Sequence, residues 1–214
     1  MQGMWVRLAI LWVFLAGPVV AGLLLSANSA WGAMLAYHLG CGIAAVGSGA
    51  GLGRRPGGRR LAAFGLFSAA LTGSALAIAW RALPERAGDV WQDWGLVPPG
   101  DRFLLIWYVG VNPWVEEWFW RGALLGPRVR ERLGRAGSRA FAVLGFLPLH
   151  VVVLVASFGT GMGTLFAFCV LLGSAGWTAL RERTGCVWWS AASHEGADLG
   201  IALAYWIWLR PAWG

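Results

Sequence analysis

Two adjacent carboxylates and an arginine, Glu116, Glu117 and Arg121, stand in a segment otherwise apolar: Asn-Pro-Trp-Val-Glu-Glu-Trp-Phe-Trp-Arg-Gly at 112–122, preceded by the run Phe103–Val111 and followed by Ala123–Leu125. An ionisable side chain near the middle of a bilayer costs roughly 2.5–3.5 kcal/mol, so such residues are retained for function or are tightly paired. Glu117 and Arg121 are four apart with the acid first, the favourable order for an ion pair on one helix face. Glu116 projects about 100° away from that face and has no local cation. It is the carboxylate free to exchange a proton, as a general base must.

Two further pairs repeat the spacing of four. His194 and Asp198 share one face, and Phe146 sets an aromatic wall one turn before His150. A free Glu, an ion-paired Glu, two His and an Asp suit hydrolysis. A carboxylate takes a proton from water, an imidazole orients that water, and further polar groups stabilise the developing oxyanion. The same set could hold a divalent metal such as zinc through Glu116, His150 and His194; the residues alone leave both chemistries open. Two other readings compete: interhelical pairs that only lock a bundle, as in a scaffold or immunity protein, and a proton relay in a carrier. The marks of other intramembrane hydrolases are missing. His194-Glu195 is followed by Gly-Ala-Asp, so no H-E-x-x-H is formed, Ser174 sits one position away from a G-x-S-G, and there is no G-x-G-D.

The elements that must position these residues are membrane helices. Hydrophobic residues make up 58% of the 214 and charged residues 13%, and apolar stretches of about 18 or more recur along the chain. The pattern predicts an all-α polytopic bundle of about seven transmembrane helices: Leu8–Leu25, Trp31–Leu52, Leu61–Trp80, Phe103–Pro127, Ala140–Phe158, a sixth reaching Leu180, and Val187–Leu209. Small residues at Ala27–Ala30 resemble a signal cleavage site, but the first apolar run is long for a signal peptide and is expected to be retained. Gly-rich turns are expected at Gly159–Gly163, and Pro98-Pro99-Gly100 signals a turn after the longest polar segment, Arg81–Arg102.

The net charge of +7 is carried by arginine alone. The arginines cluster in what read as loops between spans, at 54–60, 128–139 and 181–183, which all fall on one side of a seven-helix topology. The positive-inside rule makes that side cytoplasmic, with the N-terminus there too. The charge thus reports orientation in a lipid bilayer, and no nucleic-acid partner is expected. Many of the sixteen Trp fall near span ends, as indoles at headgroups do. Cys41, Cys169 and Cys186 lack metal-ligand spacing and are expected to be small packing residues. His38, alone in the second span, is expected to be a packed or hydrogen-bonding histidine.

Counting from the arginine-rich ends brings the polar residues together. Glu117 lies eleven residues before Arg128, His150 eleven after Arg139, and His194 eleven after Arg183. Each is ~16 Å from that surface, at one depth, and the cavity they share is expected to face inward. A helix broken at Asn112-Pro113 would leave the count unchanged.

Taken together, Glu116-Glu117-x-x-x-Arg121, Phe146-x-x-x-His150 and His194-x-x-x-Asp198 resemble the CPBP family of intramembrane proteases, which includes CAAX prenyl endopeptidases of the Rce1 type, bacteriocin-processing and self-immunity proteins, and myxosortases. The resemblance covers about 103–209 of a chain that reads as one domain, 1–214. It implies that Glu116 activates water with the help of His150, that His194 and Asp198 stabilise the oxyanion, that Glu117 and Arg121 form a structural pair, and that no metal or other cofactor is needed. The prenyl endopeptidases have Asn at the last position, where this chain has Asp198. The expected activity is an endopeptidase of a prokaryotic-type cytoplasmic membrane acting on a membrane-anchored protein or peptide precursor.

Overall fold

The computed structural model describes residues 2–79, 86–96 and 99–209, and everything described in helices is helical with connecting turns. Trp80 and Arg81, at the end of the third predicted span, and Pro98, in the predicted turn, lie outside those residues, as does Glu85. In chain order the helices are α1 (Gln2–Leu25), α2 (Ala30–Ser48), α3 (Gly58–Ala79), α4 (Arg86–Asp93), α5 (Gly100–Gly110), α6 (Asn112–Glu117), α7 (Pro127–Leu144), α8 (Leu147–Thr184) and α9 (Trp188–Ala204). The stretches 3–25, 30–48, 58–79 and 127–184 are long and apolar enough to cross a membrane. Large apolar side chains such as Phe14, Leu39, Phe67, Leu71 and Ile78 point outward. Lipid is the solvent that tolerates such a surface, and the molecule is a helical membrane bundle.

Small residues set the two tightest packings. On α2, a Cβ at Gly40 or Gly47 would lie 2.1 Å from the ring of Trp12 or Trp5, so the indoles of α1 seat directly on glycine backbone. On α9, Gly196 and Gly200 form a small-xxx-small stripe against Gly65, Ala69 and Gly73 of α3. A Cβ at Gly196 would stand 2.0 Å from the Gly65 carbonyl oxygen. This close approach is the membrane form of helix association, and it fixes the helix that carries His194 and Asp198.

The fourth predicted span is broken, as Pro113 allows: the backbone kinks at Val111, and α6 begins at Asn112. After Glu117 the chain widens into one π-helical turn, Trp118–Ala123, which carries Arg121. The fifth and sixth spans are the two limbs of α8, folded at Gly159 (φ 75°, ψ 172°). Only glycine adopts that conformation readily. A Cβ at Gly163 would lie 2.6 Å from the Val155 Cα, so the limbs run back along each other. The turn needs Gly159 alone; Gly161 and Gly163 are already helical.

The segment 128–139, read from sequence as a basic loop, is instead most of α7. Val129, Ser138 and Ala142 are buried along it, and the backbone breaks only at Gly134 (φ 71°). Arginine is a good helix former, and here Arg130, Arg135 and Arg139 all reach Glu182 of α8. Cys41 and Cys186 are buried as expected, whereas Cys169 is exposed on the outer face of α8. Many indoles tie helices together rather than only marking their ends: Trp12 donates to Cys41, Trp91 to Ser157, Trp118 to the Ala50 carbonyl and Trp120 to the Tyr37 hydroxyl.

Candidate functional site

Glu116, Glu117, Arg121, His194 and Asp198 meet at the centre of the bundle, each almost fully buried. The i,i+4 pair forms as the spacing demands: Arg121 Nη1 donates to Glu117 Oε1 at 2.9 Å. Arg121 Nη2 donates to the Ser174 carbonyl and hydroxyl at 3.0 and 2.6 Å, joining the π-helical turn to α8. Its guanidinium lies 4.9 Å from the Phe146 ring and 5.4 Å from the Trp177 ring, so two aromatic faces replace part of its lost hydration. Phe146 also contacts His150 (4.2 Å between centroids), Trp120, Trp177 and His194. The aromatic residue is thus a hub under the arginine and both histidines.

Glu117 does more than pair with Arg121. The same Oε1 accepts from His194 Nδ1 at 3.1 Å, while Trp177 stacks on the imidazole at 3.9 Å and 17°. Both constraints turn His194 Nε2 toward Glu116 Oε2 (3.5 Å) and Asp198 Oδ1 (3.7 Å). The carboxylate without a local arginine therefore faces an imidazole from another helix.

Asn112 is part of this site. Its side-chain nitrogen donates to Asp198 Oδ2 at 3.0 Å and lies 3.4 Å from Glu116 Oε2. Asn112 is held in turn from α2 and α5. An indole can only donate, so Trp107 Nε1 fixes His38 Nδ1 as the acceptor (3.2 Å). His38 Nε2 then donates to Asn112 Oδ1 (2.9 Å). His38 is the hydrogen-bonding histidine expected, and its bond ends one step from the carboxylates. Tyr37 and Tyr108 line the same cavity as Glu116 and Asp198. Asn112 was legible, being four residues before Glu116 on one face; Tyr37 and Tyr108 carried no such signal.

His150 donates from Nδ1 to the Phe146 carbonyl at 2.8 Å. That bond leaves Nε2 as an acceptor, and the residue lines the same cavity of about 310 Å³ as Glu116, His194 and Asp198. Among the described residues, no three His, Cys, Asp or Glu side chains are arranged to hold one metal ion.

The cavity does not face the side expected. Above the carboxylates it is walled by Val20 and Leu24 of α1, Ala30 and Ala33 of α2, Leu104 of α5, 149–158 of α8 and Ile201–Tyr205 of α9. These are the helix ends gathered around α4, where Ala30 N donates to the Trp94 carbonyl and Trp91 to Ser157. The arginine-rich segments lie at the other end, where Arg128 bonds the Ser48 carbonyl and Val187 N the Leu52 carbonyl. Equal depth from one surface identifies the level of a site but not its mouth.

Residues 98–200 match the family model of type II CAAX prenyl endopeptidases, Rce1-like. The match runs from just before α5 into α9 and takes in every candidate residue from Glu116 to Asp198; Tyr37 and His38 come from outside it. No curated protein and no solved structure matches the chain. Over those residues, just under half of its length, the chain is similar to the type II CAAX prenyl endopeptidases, and the match supports placing it with the CPBP and CAAX group of intramembrane proteases.

Proposed function

We propose that the chain is a multi-pass endopeptidase of a cytoplasmic membrane, a single domain with its N-terminus inside, that hydrolyses a peptide bond of a membrane-anchored protein or peptide precursor with a glutamate-activated water and no metal. The observation that carries this reading is the contact of Glu116 with His194 Nε2 at 3.5 Å on the floor of the cavity. Glu116 takes a proton from water held against it by His150 Nε2. The hydroxide adds to the scissile carbonyl, and the oxyanion accepts hydrogen bonds from doubly protonated His194 and from the Asn112 amide. Collapse of the intermediate breaks the C–N bond, and Glu116 returns its proton to the leaving nitrogen.

Asp198 differs from the Asn of the prenyl endopeptidases, and Asn112 supplies the missing amide. A carboxylate cannot donate to an oxyanion unless protonated, but Asp198 holds the Asn112 nitrogen at 3.0 Å. In this assignment Asp198 orients a donor rather than being one. Glu117 and Arg121 hold α6 and fix the ring of His194.

The test compares the termini of membrane proteins, by mass spectrometry, in cells carrying the wild-type chain or Glu116→Gln at equal expression. Termini that vanish in the variant identify substrates. Termini unchanged where the protein is needed would move the scaffold or carrier reading to first place.

A further inference from the structure

Below its floor the cavity is closed. Phe119, Trp120, Arg121 and Leu124 are fully buried between the carboxylates and the arginine-rich end. The lining residues lie level with Glu116 or toward α4, so among the described residues the open path to Glu116 comes from that face.

The dimensions limit what enters. Tyr205, near the mouth, and His194, on the floor, are eleven residues apart on α9 and its continuation, a depth of ~16 Å. A volume of about 310 Å³ open to the centres of water molecules, spread over that depth and widened by the ~1.4 Å radius of water, has a bore of roughly 8 Å, against 10–12 Å for a helix with its side chains. An extended chain, at ~3.3 Å per residue, reaches the floor with about five residues. The walls are mostly aliphatic and aromatic: Leu24, Met34, Leu104, Val153, Leu154 and Ile201 among them. An apolar side chain gains by burial there, and a charged one does not.

We infer, on the basis of the proposed hydrolysis, that the substrate is an apolar segment of an exported, membrane-anchored polypeptide, which enters unwound from the arginine-poor face. The bond to be cut lies about five residues below that surface. The positive-inside rule makes this the face away from the cytoplasm, so the enzyme acts on proteins already translocated. The segment must leave its helix before it reaches Glu116, and unwinding at the membrane surface is where that costs least.

Single cysteines test the direction of entry. Leu154→Cys and Ile201→Cys in the cavity, and exposed Arg132→Cys at the other end as control, are placed in the full chain lacking its three native cysteines. A membrane-impermeant maleimide is then applied to intact spheroplasts and to inverted vesicles. The expected result is labelling of both cavity positions in spheroplasts and of Arg132→Cys only in inverted vesicles, with cleavage blocked in the labelled cavity variants. Using two cavity positions guards against one variant failing to insert. Labelling of the cavity positions only from the Arg132→Cys side, or from neither side, overturns the inference. Cleavage is assayed in Glu116→Gln in parallel. If it is lost there while the cavity labels from the arginine side, entry is wrong and the glutamate chemistry stands; if it persists, the chemistry fails whatever the labelling.

Discussion

Arg121→Met tests the frame that holds the site. Arg121 and Glu117 are both 0% exposed, and the substitution leaves Glu117 buried with no cation. Removing one member of a buried pair costs about 3–5 kcal/mol. For a chain of this size each kcal/mol moves the melting temperature by roughly 2–4 °C, so the drop should be on the order of 6–20 °C. Removing both charges should restore most of it, because neutral residues of similar volume cost little in place of a buried pair. The two ways of removing the acid then separate stability from activity. In Arg121→Met with Glu117→Gln, the amide oxygen can still accept from His194 Nδ1, so stability and part of the activity return. In Arg121→Met with Glu117→Leu, stability returns but His194 is unheld and activity does not. Fluorescence-detected size-exclusion chromatography after heating in detergent gives the stabilities, and cleavage in membranes gives the activities. A single variant that melts within 3 °C of wild type, on that ~2–4 °C per kcal/mol scale, or double variants no better than the single, would refute the reasoning.

Gly196→Ala drives a methyl into the Gly65 carbonyl and should cost about 1–3 kcal/mol with loss of activity, since α9 shifts. Gly42→Ala, with nothing near its added methyl, should be neutral in the same melting assay. Asn112→Leu should lower kcat by about 10²–10³-fold, the cost of one oxyanion donor, with KM little changed in steady-state kinetics on a cleaved peptide. Asp198→Asn keeps a partner for Asn112 through its side-chain oxygen and should stay within about tenfold of wild type, or ~1.4 kcal/mol; Asp198→Leu should lose far more.

How much of this was legible follows from distance along the chain. Glu117 with Arg121, and His194 with Asp198, were readable because four residues on a helix place two side chains together whatever the tertiary structure. Phe146 with His150 was readable for the same reason. The second bond of Glu117, to His194, joins residues 77 apart, and no spacing announces it. Tyr37 and His38 reach the site because α2 packs against α6 and the π-helical turn, where they bond Trp120 and Asn112, a fact about packing rather than pattern. Asn112 was visible only as a helix breaker, although its place one turn before Glu116 was in plain sight. The arginine count fixed the depth of the polar residues and missed the mouth, because what closes one end is bulk, Phe119 and Trp120 together, and not charge. The basic run at 128–139 read as a loop because its arginines hid a buried stripe of Val129, Ser138 and Ala142.

In the proposed mechanism Glu116 activates the water without a metal. The direct measurement is cleavage, by purified wild-type protein and by Glu116→Gln in liposomes, of a peptide spanning a terminus lost in the variant cells, with a strong chelator present throughout. Wild type is expected to cut at that terminus at an undiminished rate, and Glu116→Gln is expected not to cut. Cutting by Glu116→Gln, or wild-type activity that the chelator abolishes and added zinc restores, would contradict that mechanism.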